Sequence, residues 1–139
     1  GSEMCIRDRY DIRVRYEETD AMGMVYYGNY ARYLEVVRAE MIRAEGLSYA
    51  LMEEQGVLMP VLRMNITYRG IAVYDDLIQA KAVIQGEIGK TITYKTELSV
   101  KDRLINESEV ELIFLDRARR RPVTCPSAFV AALEKYCVL

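Results

Sequence analysis

The chain of 139 residues is long enough for one domain with a buried core of its own, and its composition excludes several classes of protein. Hydrophobic residues make up 51% of the chain and charged residues 29%, which is typical of a globular protein rather than a disordered one. The net charge of −2 argues against a general nucleic-acid binder. No uncharged run approaches the ~18 residues of a membrane span.

The residue types that are missing or rare narrow the chemistry further. There is no histidine, which removes Ser-His and Cys-His nucleophilic pairs and nearly all common zinc sites. Cys5, Cys125 and Cys137 have no ligand spacing and are typical of buried thiols in a reducing cytoplasm. We therefore predict a cytoplasmic protein without a metal or cofactor, in which any hydrolysis depends on carboxylates and backbone dipoles.

The first third of the chain predicts a strand, a loop and a helix. Apolar and charged side chains alternate over residues 9–16, which predicts a half-buried strand. A glycine-containing loop over residues 17–28 follows. A helix is predicted over residues 29–45, with Asn29 as its N-cap and Gly46 as its stop. Its apolar side chains at helical spacing are Tyr30, Tyr33, Leu34, Val37 and Met41.

The rest of the chain predicts a short helix, four strands and a last helix. The short helix covers residues 49–54, and the strands cover residues 57–69, 76–87, 91–101 and 105–116. In the first of these strands Pro60 indicates an edge or irregular position. Its inward side chains are expected to be Leu62, Met64, Ile66 and Tyr68. A turn over residues 117–121 precedes the last helix, which opens at Pro126.

This order of elements predicts an antiparallel sheet curled around the first helix, because the strands are apolar on one face only. The sheet and its helices form a single domain over residues 9–139. Residues 1–8 are interpreted as a tag remainder or a disordered N-terminus.

The position of Asp20 in the chain makes it a candidate catalytic residue. Asp20 lies shortly before the predicted helix start, where free N–H groups and roughly half a unit of positive charge are available. A base or nucleophile that faces a carbonyl-polarising dipole is suited to acyl transfer. The alternative is that Asp20 only forms an Asx-turn in the loop, and the residues alone leave both interpretations open.

The sequence VRYEETDAMGMVYYGNY, residues 14–30, resembles the entry loop of the 4-hydroxybenzoyl-CoA thioesterase-like acyl-CoA thioesterases. The residues that match are Thr19, Asp20, Gly23, Val25, Tyr26, Asn29 and Tyr30, with Glu35 and Arg38 in the following helix. This resemblance implies an α+β hotdog fold, in which an antiparallel five-stranded sheet wraps around a long central helix. It also implies a homodimer or homotetramer with its acyl pocket at the subunit interface.

The same resemblance assigns roles to residues of the loop. It makes Asp20 the catalytic carboxylate, which either attacks the thioester carbonyl or deprotonates a water that does. The backbone N–H of Tyr27 then polarises that carbonyl. Substrate contacts are expected from Gly23, Val25, Tyr26, Asn29 and Tyr30.

The substrate is expected to be an acyl- or aryl-CoA thioester. A thioesterase for acyl-carrier-protein and a non-catalytic acyl-thioester binding module remain as alternatives. Arg69 and Lys90 are candidates for contacts with CoA phosphates. The arginines of residues 117–121 form either a solvated turn or a further phosphate site.

Three acidic residues near the site have structural interpretations. Glu17 and Glu18 are expected to be solvated, because the strand and loop cannot aim both of them inward. Glu35 is expected to pair with Arg38 or Arg32 across a helical turn rather than to line the pocket.

Overall fold

The computed structural model describes residues 9–139, and local start and stop signals account for its helices. They are α1 (Asn29–Arg43), α2 (Tyr49–Glu54) and α3 (Ser127–Leu133). Ser48 caps α2 as expected, since its hydroxyl accepts a 3.1 Å hydrogen bond from Leu51 N–H. The expected extension of α1 to residue 45 is wrong, because the chain leaves the helix in a turn that Gly46 closes at a φ of 79°.

The main sheet has six strands rather than the expected five. Five of them follow the order β1-β4-β5-β6-β3 with antiparallel pairing, and β8 pairs in parallel with β4. The strands are β1 (Arg9–Arg13), β2 (Val57–Leu58), β3 (Val61–Tyr68), β4 (Leu77–Gln85), β5 (Thr91–Val100), β6 (Arg103–Ile113), β7 (Leu115–Asp116) and β8 (Cys137–Val138). The short strands β2 and β7 pair in a separate two-stranded sheet.

The predicted strands run past the observed ones, and the predicted strand over residues 105–116 is divided into β6 and β7. Two further predicted strands are changed by local structure. The strand over residues 9–16 ends at Arg13, because the chain then forms a 3₁₀ turn over Tyr16–Glu18. The strand over residues 57–69 is divided into β2 and β3 around Pro60. A proline has no N–H to donate to a ladder, so its position at an interrupted edge follows from its chemistry.

The core lies between α1 and one face of the main sheet, and the α+β hotdog class is confirmed. Leu34, Val37 and Met41 are buried in α1, each worth about 1.5–3 kcal/mol of apolar burial. The sheet contributes alternate buried positions, for example Ile78, Ala80, Ala82 and Ile84 of β4. The helix is not enclosed on all sides, since Arg32, Glu35 and Val36 are exposed. No helix within residues 9–139 is long and apolar enough to cross a membrane.

Strand β3 is an exception to the rule that the apolar face of a strand is buried. Leu62, Met64 and Tyr68 were expected in the core, yet all three are exposed. β3 lies at the edge of the sheet and pairs only with β6 among the described residues. An exposed apolar edge strand is a surface that proteins usually cover.

Two of the three cysteines lie within the described residues. Cys125 is buried and Cys137 is half-buried, and neither forms a disulfide within residues 9–139. Burial raises the pKa of the Cys125 thiol to about 12. Cys5 lies outside the described residues.

Candidate active site

The loop that carries Asp20 and Tyr27 is a closed structure, pinned to itself and to the sheet. Thr19 and Val25 form an antiparallel bridge, and the Asp20 N–H donates to Met24 O at 2.9 Å. Val25 is buried, and its N–H donates to Ala72 O at 2.9 Å. The loop is thus held next to the segment that joins β3 to β4.

Asp20 forms the Asx-turn that was its alternative interpretation. Its Oδ1 accepts the Met22 N–H at 2.9 Å, and its backbone carbonyl accepts the Gly23 N–H at 3.0 Å. Gly23 has a φ of 79°, which a side chain would strain. The carboxylate is only partly buried, and no partner for its Oδ2 is found within residues 9–139. The Asx-turn uses one oxygen and orients the carboxylate.

The start of α1 presents a free donor close to this carboxylate in the chain. The N–H groups of Asn29 and Tyr30 donate to the carbonyls of Tyr26 and Tyr27. Among the described residues, no acceptor binds the Tyr27 N–H. This donor lies at the positive end of a 15-residue helix.

Asn29 is not the N-cap of α1, so that prediction is wrong. Gly28 occupies the cap position, and the Asn29 amide instead donates to Glu18 O at 2.8 Å. Gly28 has little room for a side chain, because an added Cβ would lie 2.7 Å from the Tyr26 ring. The tight packing of Tyr26 on Gly28 shapes the entry to the helix.

Four tyrosines surround the free donor. The rings of Tyr26 and Tyr27 lie 4.6 Å apart, and both side chains are exposed. The Tyr68 hydroxyl reaches the Tyr27 carbonyl at 3.4 Å, and the Tyr68 ring packs edge-on against Tyr30 at 5.6 Å. Tyr30 is buried, and its burial raises the pKa of its phenol. The exposed rings of Tyr26, Tyr27 and Tyr68 therefore make the surface near the start of α1 aromatic.

Glu18 was expected to be solvated, and the structure shows the opposite. Only 8% of the residue is exposed, and its Oε1 accepts both the Tyr33 hydroxyl at 2.9 Å and the Arg15 N–H at 2.8 Å. The signal that was missed is the 15-residue spacing between Glu18 and Tyr33, which becomes a contact only when the loop folds back on α1. Glu17 is exposed, as expected.

The two cations expected to contact CoA phosphates lie at opposite ends of the sheet. Arg69 directly follows β3, near the Asp20 loop, and pairs with Glu107 at 3.2 Å. Lys90 precedes β5, and its carbonyl accepts the Phe114 N–H at the far end of β6. The ten residues of β5 separate the two ends by roughly 30 Å. One chain therefore does not bring Lys90 to Asp20.

A basic turn lies at the same end as Lys90 and is formed by Arg117, Arg119, Arg120 and Arg121. These side chains and Lys90 are exposed, and none forms an ion pair with another described residue. The carboxylate of Asp116 is used by the backbone, since its Oδ1 accepts the N–H groups of Ala118 at 3.0 Å and Arg119 at 2.8 Å. The arginine charges are therefore left available to a ligand.

The expected pairing of Glu35 with Arg38 or Arg32 is not found within residues 9–139. Arg38 is buried, and both Glu35 and Arg38 line a cavity of about 310 Å³ whose walls include Tyr49, Met59 and Val61. No hydrogen-bond partner for Arg38 Nη1 is found among the described residues. Glu35 therefore lines a cavity, but this cavity includes no residue of the Asp20 loop.

The sheet has a further cavity, and the described residues contain no metal site. A larger cavity of about 620 Å³ is lined by alternate polar positions of the sheet such as Lys95, Glu97, Glu107 and Glu109, and does not include the Asp20 loop. Within residues 9–139, no group of three or more His, Cys, Asp or Glu side chains could hold a metal ion.

Known proteins share this sequence and this fold. The model of the thioesterase-like superfamily matches residues 3–133. The acyl-CoA thioesterase YbgC of Haemophilus influenzae is 30% identical over 126 residues, covering 90% of this chain and 93% of the relative. The acyl-CoA thioester hydrolase YbgC of an Escherichia coli O6:H1 strain is 29% identical over 128 residues, covering 91% of this chain and 96% of the relative.

Solved structures agree with the sequence relatives. A DHNA-CoA thioesterase from Staphylococcus aureus has a TM-score of 0.86 and 32% identity, covering 92% of this chain and 89% of its own. The resemblance noted in the entry loop is thereby confirmed over almost the whole chain. The chain belongs to the thioesterase-like superfamily and is a thioester hydrolase with the hotdog fold.

Proposed function

We propose that the chain is an acyl-CoA thioesterase in which Asp20 and the Tyr27 N–H act on the thioester carbonyl. The observation that carries this proposal is the free Tyr27 N–H at the N-terminus of α1, in the same closed loop as the Asp20 carboxylate. The relatives named as acyl-CoA thioesterases support CoA as the thiol of the substrate.

The proposed reaction begins when the carbonyl oxygen of the thioester accepts the Tyr27 N–H. The helix dipole stabilises the negative charge that develops on this oxygen. Asp20 then either attacks the carbonyl carbon with its own oxygen or takes a proton from a water, whose oxygen attacks instead. The C–S bond breaks and CoA leaves as its thiolate, which is a good leaving group and needs no imidazole acid. The direct route requires a second step, in which water cleaves an anhydride on Asp20.

The Asx-turn supports this role and does not compete with it. Met22 N–H occupies Oδ1 alone, which leaves Oδ2 to face the substrate or a water. A carboxylate that a backbone hydrogen bond already orients loses little freedom when the substrate binds. Such pre-orientation lowers the activation free energy of the reaction.

We further propose that the active enzyme is a homodimer joined through β3. Met64, Tyr68 and Val61 are apolar and exposed on the edge strand, where a second copy of the strand could pair. A symmetric pairing of β3 with itself would be antiparallel, because a two-fold axis reverses the strand direction.

This pairing has a consequence for the two ends of the sheet. Val61 pairs with Leu112 near the basic turn, whereas Tyr68 pairs with Asn106 near the Asp20 loop. Antiparallel pairing would place the Tyr68 end of one chain beside the Val61 end of its partner. The basic turn of the partner would then lie closer to the Asp20 loop than the basic turn of the same chain does. We propose that it holds phosphates of CoA.

The test is the release of free thiol from a panel of short, long and aromatic acyl-CoAs, each paired with its acyl-pantetheine analogue and with acyl-carrier-protein. We expect turnover of at least one acyl-CoA, with a higher KM for the analogue that lacks the nucleotide. Binding of every acyl-CoA without release of thiol would identify a non-catalytic binding module instead. Turnover of acyl-carrier-protein alone would overturn CoA as the substrate.

A further inference from the structure

Glu18 has more hydrogen bonds to the Asp20 loop and to α1 than a solvated surface residue would need. Its side chain accepts from the Arg15 N–H and the Tyr33 hydroxyl. Its backbone carbonyl accepts the Tyr26 N–H at 3.0 Å and the Asn29 amide at 2.8 Å. One buried residue therefore joins four segments: the residue before the 3₁₀ turn, the end of the loop, the start of α1 and its second turn.

The hydrogen bonds of Glu18 lie close in the chain to both Asp20 and Tyr27. Glu18 lies two residues before Asp20, and Tyr26 lies immediately before Tyr27. Bonds from Glu18 to Tyr26 and Asn29 hold both ends of the loop together, so they fix where the Asp20 carboxylate lies relative to the Tyr27 N–H. The Tyr33 hydroxyl then holds the Glu18 side chain on α1, the helix whose dipole the N–H belongs to.

The contact of Glu18 with Tyr33 is buried and joins a hydroxyl donor to a carboxylate acceptor. Only 1% of Tyr33 is exposed. Burial is the main cause that raises the pKa of its phenol, and the Glu18 carboxylate adds to it. The phenol therefore stays protonated and can donate to Glu18 at neutral pH. A carboxylate that accepts two donors on one oxygen is held in a single orientation.

We propose that Glu18 and Tyr33 form a positioning pair that sets the geometry between Asp20 and the Tyr27 N–H. The pair does not touch the substrate and acts through the loop. This inference rests on the proposed function, because it assigns the pair to the alignment of those two groups. Misalignment by about 1 Å is enough to lower the rate of an aligned reaction by up to ~10²-fold.

The chain contains a matched control elsewhere. Tyr136 is buried to 3% exposure in the C-terminal 3₁₀ turn, and its hydroxyl donates to Glu45 at 3.2 Å. Burial raises the pKa of this phenol too. Lys135 also pairs with Glu45, so the contact belongs to the link between the C-terminus and the turn after α1. Tyr136→Phe and Tyr33→Phe thus remove the same chemical group from similar surroundings, but only one lies beside the loop.

The experiment compares kcat, KM and Tm of Tyr33→Phe and Tyr136→Phe with the best acyl-CoA of the panel, well below both Tm values. We expect both variants to lower Tm by similar amounts. We expect Tyr33→Phe to lower kcat by roughly five- to fiftyfold with KM changed by less than about twofold, and Tyr136→Phe to keep kcat within about twofold. Equal kcat values for the two variants would overturn the proposal.

A conservative variant separates geometry from charge. In Glu18→Gln the amide oxygen can still accept both donors, so kcat is expected to stay within about threefold of wild type, whereas Glu18→Ala should match or exceed the loss of Tyr33→Phe. A Glu18→Gln variant as impaired as Glu18→Ala would show that the charge acts directly and would contradict a positioning role.

The Asp20→Asn variant, measured beside them, keeps the two proposals distinct. If Asp20→Asn is inactive while Tyr33→Phe and Tyr136→Phe have equal kcat, only the positioning pair fails. If Asp20→Asn is active, the proposed role of Asp20 is wrong, and the positioning proposal that rests on it is wrong as well.

Discussion

Each end of the sheet has an Asx-turn, but the two ends differ in whether the cations near the turn form ion pairs. At one end Asp20 forms an Asx-turn, and Arg69 at that end pairs with Glu107. At the other end Asp116 forms an Asx-turn of the same type, and the basic turn that follows has no ion pair within residues 9–139.

The difference shows that an Asx-turn does not by itself indicate a site. The turn at Asp20 belongs to the loop that leads to the start of α1, where the Tyr27 N–H has no acceptor among the described residues, whereas the turn at Asp116 follows the short strand β7. A CoA thioester needs both a carbonyl-polarising group and cations for its phosphates. One chain holds these features roughly 30 Å apart along the sheet. Two chains paired through β3 would bring them together.

The largest effect is expected at Asp20, with Asp116 as its control. Asp20→Asn keeps the shape of the Asx-turn but removes the charge, so we expect kcat to fall by about 10²–10⁴-fold while acyl-CoA still binds. Asp116→Asn makes the same chemical change at the other end and should keep kcat within about threefold. Thiol release and equilibrium binding measure both variants. An Asp20→Asn enzyme that kept more than about a tenth of wild-type kcat would end the assignment of Asp20.

The next effect separates backbone from side chain at Tyr27. Tyr27→Phe keeps the N–H and should lower kcat by less than about tenfold, ~1.4 kcal/mol. Tyr27→Pro removes the donor and should cost at least ~2.7 kcal/mol. The proline also restricts Tyr26 before it, so the phenylalanine is the cleaner variant. If Tyr27→Phe were as inactive as Asp20→Asn, the phenol would be the acid or the oxyanion donor. The backbone N–H would then not be the group that polarises the carbonyl.

A smaller effect is expected from the basic turn. Replacing Arg119 and Arg121 with alanine should raise KM for acyl-CoA by roughly three- to tenfold, as expected for two exposed ion pairs. KM for acyl-pantetheine should not change, because it has no nucleotide phosphates. Arg43→Ala, which removes an exposed arginine paired with Glu40 on α1, is the control. A rise in KM for both substrates would point to a structural role for the turn.

The smallest expected effect concerns Cys125, which follows the basic turn. Cations in contact with its thiol would lower the pKa, but burial dominates and raises it to about 12. We therefore expect iodoacetamide to alkylate Cys125 slowly in the native protein at pH 8, and the Arg119 and Arg121 replacements to leave that rate unchanged. Because the folded pKa is raised, its contribution to stability is present below about pH 9 and is lost as the pH rises toward 12. Rapid alkylation of the native protein would show that the arginine charges reach the interior.

Local signals explain what the sequence predicted. Ser48 and Gly46 define helix ends through their own backbone chemistry, and the loop from Thr19 to Tyr30 is recognised from its residues alone. The residues of this loop follow one another in the sequence, so their pattern is recognisable without knowledge of the fold.

What was missed depends on distant partners. Glu18 is buried where its side chain accepts from Tyr33 and Arg15, and its neighbour Glu17 has the same chemistry but remains exposed. The exposure of Met64 follows from the edge position of β3, which alternation along the strand does not encode. Strand β8 has two residues, too short for a periodic pattern.

The most direct test of the account is subunit complementation between Asp20→Asn and the Arg119→Ala, Arg121→Ala double variant. Co-expression with two affinity tags yields a mixed dimer in which one site has an intact Asp20 from one chain and an intact basic turn from the other. We expect this mixed dimer to hydrolyse acyl-CoA with the KM of the wild type, at about half its kcat per dimer. A mixed dimer whose KM stays as high as that of the double variant would show that each Asp20 depends on the basic turn of its own chain. That result would contradict the pairing of the two ends through β3.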